Sequence, residues 1–90
     1  MATYIDQQQF QHLTITSQCL AYLYWRNSYV SQTTLKTLTG SANIRQLMGA
    51  KQREHFVTRN NHGAWKLAAA GQRWCAMHLS HVIHQQGESV

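Results

Sequence analysis

The 90-residue chain contains no proline and only three acidic residues, Asp6, Glu54 and Glu88. Because proline interrupts helices, its absence leaves every segment of the chain free to be helical. The three carboxylates are far apart in the sequence, so we do not expect the paired acids of a glycosidase, a carboxylate cage for Ca²⁺ or Mg²⁺, or a Ser-His-Asp triad. We therefore expect that the protein is not an enzyme and has no catalytic residues.

Cysteine is also scarce, and long apolar segments are missing. Cys19 and Cys75 are the only cysteines and form no C-x-x-C motif, which predicts two free thiols in a reducing compartment. The longest strongly apolar run, residues 20–25, is much shorter than a membrane span, and the sequence shows no signal-peptide pattern. These features predict a cytoplasmic protein without a membrane partner.

Positive charge, in contrast, is plentiful. The chain has eight lysine and arginine residues against three acids, which gives a formal net charge of +5. Its content of hydrophobic residues, 43%, is that of a folded chain, and the length predicts a single domain over residues 1–90. A basic surplus of this size favours an anionic partner, with nucleic acid as the first candidate.

The apolar pattern of the first half of the chain predicts three helices. Apolar residues at three- and four-residue spacing predict a first helix over about residues 7–26, with a later start as the alternative because residues 14–16 are β-branched. Ser31 is a suitable N-cap for a short second helix, and Gly40 suits the left-handed position that ends it. Ser41 can cap a third helix, over about residues 42–53. The residues expected on the inner face of this third helix are Ile44, Leu47 and Met48.

The pattern changes after the third helix. Two β-prone segments flank the turn sequence Asn60-Asn61-His62-Gly63, which predicts a hairpin over about residues 54–67. Helical spacing then returns and predicts a last helix over about residues 69–86. The predicted fold is mainly α with a small β-hairpin, a winged helix-turn-helix of order α-α-α-β-β-α, with the helix-turn-helix over about residues 31–53.

The outward face of the third helix carries the residue types that read DNA bases. Arg45 and Gln46 can make bidentate contacts with guanine and adenine, and Gly49 allows close approach of the backbone. Seven of the eight basic residues lie within residues 36–73, where Glu54 is the only acid, as expected for a phosphate-binding surface. The predicted DNA-binding residues are Ser41, Asn43, Arg45, Gln46, Gly49, Arg53, Arg59, Asn60, Asn61, His62 and Lys66.

The hairpin segment has an apolar pair at Phe56-Val57, an arginine at Arg59, an aromatic-x-leucine at Trp65-x-Leu67 and a glycine at Gly71. In these features it resembles the wing of MarR-type and PadR-type regulators. The resemblance covers about residues 30–75 and implies DNA-binding transcription regulators that are usually homodimers.

Three positions depart from the family pattern. His55 stands where a glycine usually precedes the apolar pair, and Ala68 where a threonine usually caps the last helix. Lys51 replaces a core leucine late in the third helix, so its side chain is expected to reach the surface.

The last predicted helix has an apolar stripe that a small core does not fully cover. We therefore predict that it forms the dimer contact, with Trp74, Cys75, Leu79, Val82 and Ile83 in the interface. The alternative is that the first helix packs over this stripe within one chain.

The same segment carries a row of potential metal ligands. Cys75, His78, His81 and His84 recur every three residues, and on a helix successive members are turned by about 60°. No more than two of them can then share one metal ion, so we expect no metal site and no cofactor.

Together these features predict a sequence-specific regulator of transcription. It binds double-stranded DNA as a homodimer, in the cytoplasm and associated with the nucleoid. The alternative is a small winged-helix interaction module that binds and antagonises or regulates a larger protein or nucleoprotein complex. In that case the basic face meets an acidic protein surface. The affinity for random duplex DNA and its salt dependence separate the two.

Overall fold

The structure is a computed structural model that describes residues 2–86 and the side chains of residues 5–83. The helices are α1 (Gln7–Gln11), α2 (Ile15–Arg26), α3 (Gln32–Thr39), α4 (Ile44–Arg53) and α5 (Ala69–His78). The strands are β1 (Ala2–Ile5), β2 (Val57–Arg59), β3 (Trp65–Leu67) and β4 (Ile83–Gln86). The layout is mainly helical with the antiparallel hairpin β2–β3, which confirms the predicted winged-helix fold class. No helix in residues 2–86 is both long and apolar enough to span a membrane.

The first helix predicted over residues 7–26 is interrupted, so that part of the prediction is wrong. Thr14 has extended backbone angles, and its Oγ1 accepts a hydrogen bond of 3.2 Å from the N–H of Ser17. Thr14 is therefore the N-cap of α2. Its β-branched, hydroxyl-bearing side chain is disfavoured inside a helix but well suited to a cap.

Helices α3 and α4 form the helix-turn-helix. Ser31 caps α3 by accepting a 3.1 Å hydrogen bond from the N–H of Thr34, and Gly40 ends α3 at φ +73°, both as predicted. Helix α4 begins at Ile44, two residues later than expected, and the prediction that Ser41 caps it is wrong: Asn43 is the N-cap residue and makes no side-chain capping bond. Ser41 lies in the preceding turn, where its Oγ accepts the N–H of Asn43 at 3.2 Å.

Helix α4 ends at Arg53, and two residues later His55 has a left-handed backbone, with φ +65°. The N–H of His55 donates to the carbonyl of Gln52 at 3.0 Å, and that of Phe56 donates to the carbonyl of Lys51 at 2.9 Å. These two hydrogen bonds close the end of the helix around a residue with left-handed backbone angles. Glycine is the usual residue at that position. The backbone conformation at His55 is thus one that glycine adopts more easily than histidine.

Lys51 reaches the surface at this helix end, as expected. Its Nζ lies 5.4 Å from the centroid of the Phe56 ring and 3.2 Å from Glu54 Oε1. The ammonium group therefore lies between an aromatic ring and a carboxylate at the end of the helix.

The hairpin is extended by one residue from the segment between α2 and α3. Val30 and Trp65 exchange two backbone hydrogen bonds of 2.8 Å, so β3 lies between Val30 and β2. In the hairpin, Val57 pairs with Leu67 and Arg59 pairs with Trp65. Val57, Trp65 and Leu67 are buried against the helices.

The last helix predicted over residues 69–86 is wrong in its second half. Helix α5 ends at His78, and the chain turns back as β4, which pairs antiparallel with β1. Ile83 lies opposite Ile5, and the N–H of Asp6 donates to the carbonyl of Val82 at 2.7 Å. Val82 and Ile83 are β-branched, and such residues are favoured in strands. Their spacing is therefore compatible with a turn and a strand over the core, and equally with one face of a helix.

The residues predicted for the dimer contact mostly belong to the core of one chain. The exposed fractions of Cys75, Leu79 and Val82 are 0%, 3% and 0%, and the Cys75 thiol points at the carbonyl of Leu20 in α2. Helix α2 therefore covers the stripe of α5 within one chain, which was the alternative. Ile83 is half-buried against the same core. Trp74 is half-buried as well, with its ring packed between Phe56 and His78.

Candidate nucleic-acid interface

The exposed face of α4 lines one open concavity of about 570 Å³. Ile44 and Met48 are buried and Leu47 is half-buried, so the inner face of this helix is the one predicted. The residues around the concavity are Ala42, Asn43, Arg45, Gln46, Gly49 and Arg53. The structure thus brings five of the predicted DNA-binding residues together, and Ser41 lies in the turn that precedes them.

The basic side chains of this concavity have no acidic partner. Among the side chains of residues 5–83, the ion pair that forms joins Lys51 to Glu54, and neither residue lines the concavity. Arg45 and Arg53 are exposed, and a guanidinium keeps its charge at any physiological pH. The concavity therefore presents two permanent positive charges with the amide of Gln46 beside them.

Gly49 leaves the middle of this surface open. No atom lies within 4 Å of the position that a Cβ would occupy there, so packing within the chain does not require a glycine. Glycine in a helix interior costs about 1 kcal/mol relative to alanine. Its presence on the outward face is typical of a helix whose backbone is approached closely by a ligand.

The tip of the hairpin is shaped by one of the residues predicted to touch DNA. Asn60 Oδ1 accepts hydrogen bonds of 2.9 Å from the N–H groups of both His62 and Ala64. Gly63 closes the turn at φ +78°. Asn60 therefore holds the tip together, while Asn61 and His62 are exposed beyond it.

The two cations of the hairpin point to opposite faces of the sheet. Trp65 faces the core, so Lys66, the next residue, points away, and its Nζ lies 5.7 Å from the centroid of the Tyr29 ring. Arg59 lies opposite Trp65, and its guanidinium carbon is 5.3 Å from the Trp65 ring centroid. Arg59 and Lys66 therefore do not form one cationic patch.

Tyr29 is a surface residue that the sequence did not single out for this region. Its side chain is 46% exposed and lies beneath Lys66. The two meet because Val30 pairs with Trp65, which sets Tyr29 opposite Lys66 on the outer face. No local signal in the sequence predicts that pairing.

The cysteines and histidines do not form a second site in the described part of the chain. Burial raises the pKa of the Cys19 and Cys75 thiols from 9.0 to about 12, which disfavours the thiolate that reacts or binds metal. Helix α5 ends at His78, so His81 lies in the turn that follows, and the side chain of His84 is outside the described residues. No three potential metal ligands come together among residues 5–83.

Comparison of the chain with protein-family models, with curated proteins and with solved structures finds no match. The functional interpretation therefore depends on the fold, the exposed face of α4 and the distribution of charge.

Proposed function

We propose that this protein is a sequence-specific, double-stranded DNA-binding regulator of transcription that acts in the cytoplasm, on the nucleoid, as a homodimer. The observation that carries the proposal is the concavity on α4. It lies on the second helix of a helix-turn-helix, the helix that enters the major groove in such proteins. It exposes two arginines and a glutamine with no acidic partner among residues 5–83.

Each exposed residue of α4 has a distinct role in this proposal. Arg45 and Gln46 lie in the first turn, the part that reaches base edges, and can contact guanine and adenine in bidentate fashion. Arg53 lies in the last turn and binds a phosphate. The missing side chain at Gly49 lets the helix sit deep in the groove. Arg59, on the hairpin, binds a neighbouring phosphate.

A homodimer sets two copies of α4 on successive major grooves, about 34 Å apart. Because Cys75, Leu79 and Val82 are in the core, the dimer contact requires other apolar surface. The outer side of α5 offers it: Met77 is 76% exposed and Trp74 is half-buried close by.

Titration of a labelled random duplex at several salt concentrations tests the proposal. If a dimer neutralises about six to eight phosphates, the logarithm of the binding constant falls with the logarithm of salt concentration at a slope of about −5 to −7. Absence of binding at low salt, or an affinity that does not change with salt, would contradict DNA binding. Selection from random duplexes then shows whether the binding is sequence-specific.

A further inference from the structure

Strand β2 is an edge strand with an unpaired side. Val30 and β2 flank β3, and no strand in residues 2–86 pairs with the other side of β2. An unpaired strand edge presents N–H and C=O groups in alternation and is a template for pairing with another chain.

The hydrogen bonds of the hairpin show which backbone groups point outward. The N–H of Asn60 donates to Ala64 at 3.0 Å, so this opposed pair is of the hydrogen-bonded kind. Such pairs alternate with pairs whose backbone groups point away from each other. The Val57–Leu67 and Arg59–Trp65 pairs are of this second kind.

The opposite side of the sheet confirms this alternation. Trp65 directs its N–H and C=O away from β2, and both bond to Val30 at 2.8 Å. By the same rule, Val57 and Arg59 direct their N–H and C=O groups to the open edge. No hydrogen-bond partner for these four groups is found among residues 2–86.

A cleft of about 430 Å³ lies along this edge. Its walls are formed by Gln52, His55, Val57, Thr58, Arg59 and Ala68. The wall residues include no acid, and Glu54 at the nearby helix end is paired with Lys51. The cleft therefore combines unpaired backbone groups with a cation.

We propose that this cleft binds an extended, acidic segment of a partner protein, which adds to the sheet as a strand beside β2. The outward N–H and C=O groups of Val57 and Arg59 have the spacing of a β-strand, so another extended peptide backbone can form hydrogen bonds with all four. A carboxylate on the bound segment pairs with Arg59, and His55 lies at the same cleft. This inference does not depend on DNA binding by α4, but both proposals use Arg59, so DNA and the peptide compete for that side chain.

Two other occupants fit the edge less well. A DNA backbone offers phosphate acceptors but no donors, so the outward carbonyls of Val57 and Arg59 would face negative oxygens. A second copy of this chain, paired antiparallel along β2, would set Val57 opposite Arg59 and bring no carboxylate to that cation.

A displayed library of random linear heptapeptides, selected against the full chain, supplies the probe. We expect enriched sequences with alternating β-branched residues and at least one aspartate or glutamate. A synthetic peptide of the enriched sequence is then added to the protein while amide exchange is followed by NMR. The amides of Val57 and Arg59 exchange quickly in the free protein and become protected when the peptide binds.

Two variants at one position separate the backbone from the side chain. Arg59→Ala removes the cation and its contact with the Trp65 ring but keeps the backbone N–H, and it weakens peptide binding about two- to fivefold. Arg59→Pro also removes the outward N–H, which β3 does not use, and weakens binding about two- to tenfold further. The matched control Lys66→Ala removes a cation from the opposite face of the hairpin and leaves peptide affinity unchanged.

Several results would overturn the proposal. One is a selection that enriches no peptide beyond those that an unrelated basic protein also enriches. Another is equal peptide affinity for the Arg59→Pro and Arg59→Ala variants. Protection of the Val57 and Arg59 amides by duplex DNA instead of peptide would assign the edge to nucleic acid. Protection that rises with protein concentration alone would assign it to a second copy. If Arg59→Pro fails to fold, amide exchange in the unmodified protein decides.

Discussion

The carbonyl oxygen of Phe56 occupies the space where a Cβ on Gly71 would lie. The same carbonyl accepts the N–H of Ala68 at 2.9 Å, and Leu67 Cδ2 is 2.8 Å from that Cβ position. The start of the wing thus packs directly on the backbone of α5. Close approach of two backbones, and not an unusual φ, accounts for the glycine at position 71.

Gly71→Ala should therefore destabilise the protein by about 1–3 kcal/mol, because the added methyl group has to displace backbone atoms. The measurement is urea denaturation followed by tryptophan fluorescence. Gly49→Ala is the matched control: no atom lies within 4 Å of its Cβ position, so the same change should stabilise α4 by about 1 kcal/mol. Similar effects at the two glycines would refute the packing argument.

His55→Gly should stabilise the protein. Residues with a Cβ pay about 1–2 kcal/mol for left-handed backbone angles, and His55 holds φ +65° with its side chain exposed. A gain of about 1 kcal/mol raises the melting temperature of a domain of this size by about 4–8 °C. His55→Ala keeps the strain and serves as control, so an equal rise in that variant would show that the conformation is not the cause.

Alanine variants of Arg45 and Arg59 should impair DNA binding in different ways. Arg45→Ala should cost about 1–3 kcal/mol on the preferred site and relax the base preference there. Arg59→Ala should weaken binding to all sequences alike and flatten the salt slope by about one unit. Selection from random duplexes with each variant measures both effects. If Arg45→Ala lowers affinity but selects the same motif, α4 is not the reader of sequence.

Lys66→Ala should reduce DNA affinity less than Arg59→Ala. Both changes remove one cation from the hairpin, but Lys66 points away from the core side, towards Tyr29. Binding constants for one duplex at one salt concentration provide the comparison. A larger loss for Lys66→Ala would mean that DNA lies on the outer face of the sheet.

Stability should fall at alkaline pH through the buried thiols. Burial raises the pKa of Cys19 and Cys75 in the folded chain from 9.0 to about 12. Between these values the folded state binds more protons than the unfolded state, so the free energy of unfolding falls as pH rises above about 9. Below pH 9 the two thiols contribute no pH dependence.

Denaturation curves between pH 8 and about 11 test this prediction, with the Cys19→Ala, Cys75→Ala double variant as control. The control should lose less stability over that range than the parent chain. Alkylation below pH 9 should occur only upon unfolding. Rapid alkylation of the native protein would show that the thiols are accessible.

Features that depend on a few neighbouring residues were predicted well. The Ser31 cap and the Gly40 stop of α3 are local chemistry, and both are present. The two faces of α4 follow from its helical period, so the sequence alone predicts the outward set around Arg45. The wing turn likewise follows from its asparagines and glycine.

Features that depend on distant pairing were missed. Val30 is one residue between two helices, and only its partner Trp65 identifies it as a strand position. The spacing of Leu79, Val82 and Ile83 is compatible with a helix as well as with a turn and strand. The opposite orientations of Arg59 and Lys66 follow from alternation, but the side of the sheet that the helices cover is set by tertiary packing.

Strand β1 pairs with β4, so Ala2 lies beside Gln86 across nearly the whole described chain. Bringing β1 and β4 together closes a loop of nearly the whole described chain, which costs chain entropy. Helices and the hairpin join neighbouring residues, so their formation costs less of it. Contacts of large sequence separation slow folding. The helix-turn-helix and the hairpin can therefore form before the terminal strands meet. The order of events in folding follows from this: the two ends of the described chain come together last, after the exposed face of α4 has its shape.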